Sequence, residues 1–345
     1  MADSIPKARL TNHFQGSGRN IGLALALLLA LLILAIFSPR YFSFANFVVV
    51  ALQMSFIGIL ALGTAMLIIS GNVDLSIGAM YGLTAVVAAM LAKIVPSPLA
   101  LLAGILFAGA LGLLNGAMVW RVKLSPIIIT LGSLTALRGV ILLTTNGAAV
   151  RGVPDPFTIL GQARPFDVPM PVWLLFGLAL IIHFVLSKTT FGRYFYAIGG
   201  NREASEAAGI RVRNLVLGAF AINGLIVGLS AVLAASRYGT ASPSFGVGFE
   251  FDVITAVILG GVRFTGGEGN ILGVMLAVAL LGVINSGLVS LGVNPFWTEV
   301  VKGVALIVAV GLDQITHEQR QRRRTQLAMQ ERSRSEPGTP AGSHI

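Results

Sequence analysis

Apolar runs, each close to the ~20 residues that cross a bilayer as helix, follow one another along almost the whole chain, parted by short polar turns. They fall at residues 21–37, 47–70, 76–94, 98–120, 126–145, 171–187, 214–236, 251–262, 271–291 and 296–312. A backbone in hydrocarbon must pair its polar groups internally, so the expected fold is an all-α, polytopic transmembrane helix bundle of about ten spans. The eighth run is short for a full crossing. It either begins earlier or forms a tilted, irregular element.

Composition agrees with a membrane chain. Of 345 residues, 11% are charged and 55% hydrophobic, against about 25% charged in soluble domains. The net charge of +10 does not indicate a nucleic-acid partner, because the basic residues sit at run ends and in one tail. Cysteine is absent, which excludes disulfides and thiolate metal sites. His13, His183, His317 and His344 are scattered and make no ligand spacing. Residues 1–20 are polar and basic, and no small-residue cleavage site follows the first run, so that run reads as a span and not as a cleaved signal.

Ten crossings put both termini on one side. On that arrangement seventeen lysines and arginines, among them Arg19, Arg121, Lys188, Arg263 and six arginines between Arg320 and Arg334, share a face. Only Arg40, Lys93, Arg151, Arg164 and Arg237 lie on the other. The positive-inside rule then makes the N- and C-termini cytoplasmic. The expected organisation is a cytoplasmic tail (1–20), a transmembrane domain (21–312) and a basic tail (313–345). That last tail, rich in Ser, Pro and Gly, is expected to be disordered, either a solvated anchor or drawn to anionic membrane lipid.

Residues 70–78 read Ser-Gly-Asn-Val-Asp-Leu-Ser-Ile-Gly and place a carboxylate, Asp74, in a break between two spans. Such a charge is costly unless it caps a helix, reaches an interface or lines a cavity. Gly71, Asn72, Asp74, Ser76 and Gly78 are therefore candidates for a helix cap or a cytoplasmic gate, with Ser76 competing for the capping role. An internal echo links this break to another. Thr64-Ala-Met-Leu-Ile-Ile-Ser-Gly71 precedes Asp74, and Thr255-Ala-Val-Ile-Leu-Gly-Gly261 precedes Glu268.

The longest internal loop on the basic face covers residues 188–213. Within it Asn201-Arg-Glu-Ala-Ser-Glu-Ala-Ala-Gly209 has the ends of a short helix: an N-cap at Asn201, early acids at Glu203 and Glu206, and a left-handed terminator at Gly209. Two turns are marginal alone in water. This helix lies on the membrane or docks a cytoplasmic subunit, with Ala204, Ala207 and Ala208 as a smooth face beside Arg202.

Gly71-Asn-Val-Asp-Leu-Ser-Ile-Gly78, Ala197-Ile-Gly-Gly-Asn201 with Ala207-Ala-Gly-Ile210, and Gly260-Gly-Val-Arg-Phe-Thr-Gly-Gly-Glu-Gly269 with Asn285-Ser-Gly287 occur in one order and spacing. In these blocks the chain resembles the membrane subunit of bacterial ABC importers for monosaccharides, the ribose/xylose/galactoside permease family, with Asn72 where that pattern usually has glycine. The resemblance implies a multi-pass protein of the bacterial inner (plasma) membrane. Its partners would be a second permease subunit, two cytoplasmic ATPase subunits that hold ATP and Mg, and an extracytoplasmic sugar-binding protein. It implies that residues 201–209 are the ATPase-coupling segment. The sequence has no Gly-x-x-x-x-Gly-Lys-(Ser/Thr), so the chain is expected to be a transport subunit, not an enzyme, and to bind no cofactor itself.

Gln53, Asn115, Asn223, Asn285 and Ser286 are polar side chains inside predicted spans. They are candidates for the translocation path, or for packing between helices. Arg138 is an intramembrane charge that either snorkels outward or pairs with Glu250 or Asp252. Glu299 and Lys302, three apart on the last span, can pair on one face. The alternatives are an ion-coupled secondary transporter, which wants paired ionisable groups at mid-membrane, or a permease of the same architecture for nucleosides or branched-chain amino acids.

Overall fold

The computed structural model describes residues 8–294 and scattered positions from 296 to 311. Among them are twelve α-helices: α1 (Ala8–Phe37), α2 (Phe44–Ile69), α3 (Ile77–Leu91), α4 (Ser97–Val122), α5 (Pro126–Thr145), α6 (Asp155–Gln162), α7 (Met170–Lys188), α8 (Thr190–Gly200), α9 (Arg202–Ala207), α10 (Val212–Tyr238), α11 (Phe249–Leu259) and α12 (Ile271–Ser290). Seven of these are long and apolar enough to cross a membrane: α1 from Gly18, α2, α4, α5, α7, α10 and α12. The expected third and eighth spans are shorter helices of 15 and 11 residues, about 22 and 16 Å long at 1.5 Å per residue. The first helix starts at Ala8, inside the expected polar tail. The tail 313–345 and the Glu299–Lys302 pair lie outside the described residues.

α2 and α10 form the centre. Every residue from Gly58 to Ile69 is buried, and α10 packs against α2, α3 and α4. In a bilayer no hydrophobic effect drives two helices together, so close approach needs small residues. α4 and α10 meet backbone to backbone for this reason. A Cβ on Gly224 would sit 2.4 Å from the Ala108 carbonyl oxygen, and one on Gly112 would sit 2.3 Å from that of Phe220. Gly224→Val is therefore expected to destabilise the bundle by at least ~1–3 kcal/mol. Gly218→Val, about 1.7 turns away with nothing within 4 Å of its added carbon, should be neutral. Thermal unfolding in detergent checks the contrast.

The helix ends explain the internal echo. α2 and α11 finish in the same cap: Gly71 N–H donates to Ile68 O and Asn72 N–H to Leu67 O, while Gly261 N–H donates to Ile258 O and Val262 N–H to Val257 O. Gly71 and Gly261 take the left-handed conformation (φ +79° and +97°) that this 6→1, 5→2 pattern requires.

Candidate functional site

α3 and α11 begin inside the bundle. The chain reaches α3 through residues 70–76 and α11 through residues 239–248, and the two starts touch. A Cβ on Gly78 would lie 2.3 Å from Gly246 O and 2.2 Å from the Glu250 carboxylate. Each of these two short helices is thus preceded by a non-helical approach. Buried backbone outside a helix needs partners from elsewhere in the protein. Side chains provide that: Leu75 N–H donates to Thr130 Oγ1 (3.1 Å), Ser76 N–H to Asp74 Oδ1 (2.8 Å), and Arg138 Nη1 to the carbonyl of Phe245 (3.0 Å).

Asp74 is fully buried. Its Oδ1 accepts from both the N–H and the hydroxyl of Ser76 (2.8 and 2.6 Å). Asn115 Nδ2 on α4 donates to Ser76 Oγ (2.9 Å), and Ser133 Oγ on α5 donates to Asn115 Oδ1 (2.7 Å). Ser76 stands at the N-cap position of α3, yet its side chain caps nothing, which corrects the expectation that it competes with Asp74. Asp74 already holds that hydroxyl, so the acid organises the turn before the helix and ties it to α4 and α5.

Arg138 lies between the two readings made of it. Among the described residues it has no ion-pair partner; it straps the approach to α11 by donating to Pro243 O (3.4 Å) and Phe245 O. Glu250, largely buried, interacts with it electrostatically. Tyr81 on α3 packs its ring against Phe245 and Phe249, closing the same junction.

Beside α11 is a cavity between α2, α11, α12 and position 301. Gln53, Asp252, Thr255 and Asn285 supply its polar lining, and Ile57, Val278 and Leu281 part of its apolar wall. The expected path residues separate here. Gln53 and Asn285 come together on the cavity. Asn115 belongs to the Asp74 network. Asn223 is sealed between α10 and α2, with its Oδ1 facing Gly63. Ser286 donates to Gly282 O and shares a hydrogen bond with Tyr41 Oη (2.6 Å), joining α12 to the turn before α2. Asp252 entered the sequence reading only as a partner for Arg138. Its place on the cavity could have been sought from an acid within an apolar run.

At the end of the bundle where α2 and α11 finish, α9 is held by its cap. Asn201 Oδ1 accepts from Ala204 N–H (2.9 Å), and Gly209 closes the helix at φ +81°. Ser205 alone is buried, whereas Glu203, Ala204, Glu206, Ala207 and Ala208 are exposed. Arg202 pairs with Glu206 (3.5 Å) and lies 4.8 Å over the Trp120 ring at the end of α4. Just before α9, Gly199 packs directly on the end of α2, where a Cβ would come within 2.0 Å of Ile69 O. Gly267 N–H donates to that same carbonyl (2.9 Å). The approach to α9, the end of α2 and the α11–α12 turn therefore share one backbone seam. A cleft of ≈ 500 Å³ opens beside it, lined by Ser70, Asn72, Gly200, Asn201 and Thr265.

Residues 46–310 match the family described as branched-chain amino acid transport system / permease component. The chain is 35% identical over 294 residues to the ribose import permease protein RbsC of Escherichia coli K12, covering 84% of this chain and 92% of that one. It is 37% identical over 290 residues to the D-allose transport system permease protein AlsC of the same organism (82% and 89%). It is 33% identical over 298 residues to the autoinducer 2 import system permease protein LsrC of Photorhabdus luminescens (86% and 90%). No solved structure gives a significant match.

Proposed function

The chain belongs to the permease-component family of branched-chain amino acid transport systems, and from that premise we propose that it is the permease subunit of an ATP-driven ABC importer for a monosaccharide. The relatives named for ribose and allose support a sugar. The family description favours a branched-chain amino acid instead. The relatives at 33–37% identity over most of the chain are named for ribose, allose and autoinducer 2, so the sugar reading is preferred.

The observation that carries the mechanism is the seam. α9 offers an exposed small-residue face, and the end of α8 just before it rests on the end of α2 and on the turn that follows α11; α2 and α11 both wall the cavity. A partner that closes on ATP and moves α9 would shift both helices together, changing the balance between two states of the path. In this reading the α9 end is cytoplasmic, as the charge bias requires, and α3 and α11 complete spans begun by their extended approaches. ATP and Mg reside on the ATPase subunits. An extracytoplasmic binding protein delivers the sugar, and a second permease subunit completes the pore in the inner membrane.

Affinity purification of the tagged chain from its native membrane is expected to bring a stoichiometric ATPase subunit. A homo-oligomer that transports in vesicles without ATP would establish an ion-driven carrier instead. In the assembled complex, Ala207→Trp should lower uptake about tenfold or more while ATP hydrolysis continues. Unchanged uptake per ATP at equal protein level would remove α9 from the docking role.

A further inference from the structure

We propose that the corner between α7 and α8 is a headgroup site for an anionic phospholipid, and that the lipid seated there steadies the coupling helix. The second half rests on α9 being the ATPase-coupling segment. α7 is one of the spans, and its exposed face is built from large side chains: Trp173, Phe176, Leu180, Ile181 and Phe184. Contacts between spans favour small residues, so this face suits acyl chains. Its two ends carry interface anchors. Trp173 stands near one end; Lys188 closes the helix at the other, with Tyr194 exposed just beyond. Trp and Tyr gather at the two interfaces of a bilayer. The chain turns at Thr189, which ends α7 and caps α8 by accepting from Gly192 N–H (3.1 Å). Gly192 keeps the corner tight, since a Cβ there would lie 2.3 Å from Val185 O and 2.5 Å from Leu186 Cα. α8 buries Gly192, Phe195 and Ile198 and leaves Arg193 and Tyr194 exposed. Two exposed cations, Lys188 and Arg193, thus flank the corner, and neither α7 nor α8 contains an acid. Lys and Arg hold phosphate by charge-assisted hydrogen bonds, so the corner matches an anionic headgroup whose chains follow the face of α7. Asn201 is at once the C-cap of α8 and the N-cap of α9. A lipid that fixes α8 therefore fixes the base from which α9 moves.

The chain contains no cysteine, so Ser187→Cys, exposed at the corner, can carry a single bimane label, attached before assembly into the complete complex. The complex would be reconstituted in phosphatidylcholine vesicles containing nitroxide-labelled phosphatidylglycerol or nitroxide-labelled phosphatidylcholine. The anionic lipid is expected to quench at a mole fraction about tenfold lower than the zwitterionic one. Lys188→Gln/Arg193→Gln should bring the two curves together. Arg211→Gln/Arg213→Gln, which removes the same charge from exposed positions at the start of α10, should leave them apart. Equal quenching by the two lipids, or equal loss from the two double variants, overturns the site; the latter means diffuse attraction to a basic face. In unlabelled vesicles, uptake per ATP should rise about fivefold when phosphatidylglycerol is included, and Lys188→Gln/Arg193→Gln should lose that rise. If uptake per ATP ignores the lipid while Ala207→Trp still uncouples, the lipid's hold on coupling is overturned. If Ala207→Trp is also without effect, the coupling role of α9 falls and takes that half with it, while the quenching decides the site independently.

Discussion

Gly199→Ala is expected to cut coupled uptake at least about tenfold, although it adds a single methyl group. That methyl would lie 2.0 Å from Ile69 O and 2.5 Å from Gly267 N, and both atoms belong to backbone that cannot rotate away. The seam must open, and the Gly267 N–H to Ile69 O bond is the contact that breaks. Overpacking of this kind costs ~1–3 kcal/mol or more. Here it falls on the joint between α9 and the helices that wall the cavity. Gly200→Ala is the internal control, since nothing lies within 4 Å of its added carbon. The measurement is uptake and ATP hydrolysis by the two variants at equal membrane levels. Transport should fall at least about tenfold for position 199 and stay near wild type for position 200. Equal behaviour of the two would mean that the seam transmits nothing.

Asp74→Leu should be among the most damaging single changes in the chain. It leaves the Ser76 N–H and hydroxyl without their acceptor in a buried site. Each stranded group costs about 1–3 kcal/mol, against a total stability of about 5–15 kcal/mol. Asp74→Asn keeps one acceptor oxygen for Ser76 but turns an amide toward Asn115 Nδ2, which lies 3.5 Å from Asp74 Oδ2. Its loss should be smaller, about 1 kcal/mol, and Asn115→Asp in the same chain should not restore it, because Asn115 is also the donor to Ser76. Thermal unfolding of the detergent-solubilised complex ranks these variants. Equal destabilisation by Leu and Asn would show that the charge, and not the acceptor, is what the site needs.

Much of the site was legible because its signals are local. The α9 ends were readable from Asn201 and Gly209, since a cap is a matter of a few adjacent residues and backbone angles. The break at residues 70–78 was readable because glycine and a carboxylate interrupt apolar sequence. The role of Ser76 was not, because Asn115, which donates to its hydroxyl and ties it to α4, is 39 residues away. Gln53, Asn115, Asn223, Asn285 and Ser286 looked alike in sequence, each one amide or hydroxyl in a span. The structure sends them to a cavity, a buried network, a sealed interface and a tether.

The sequence by itself determined the solvent, the all-helical architecture and the segments that begin and end most helices. Each follows from hydropathy, length and local backbone preference over tens of residues at most. Only the tertiary structure decided that α3 and α11 start face to face inside the bundle, that Arg138 straps a loop about a hundred positions away, and that Asp252 opens on the cavity. Those outcomes depend on which helix faces meet. In a chain apolar on nearly every face, close contact of small residues and the pairing of a few buried polar groups settle that choice.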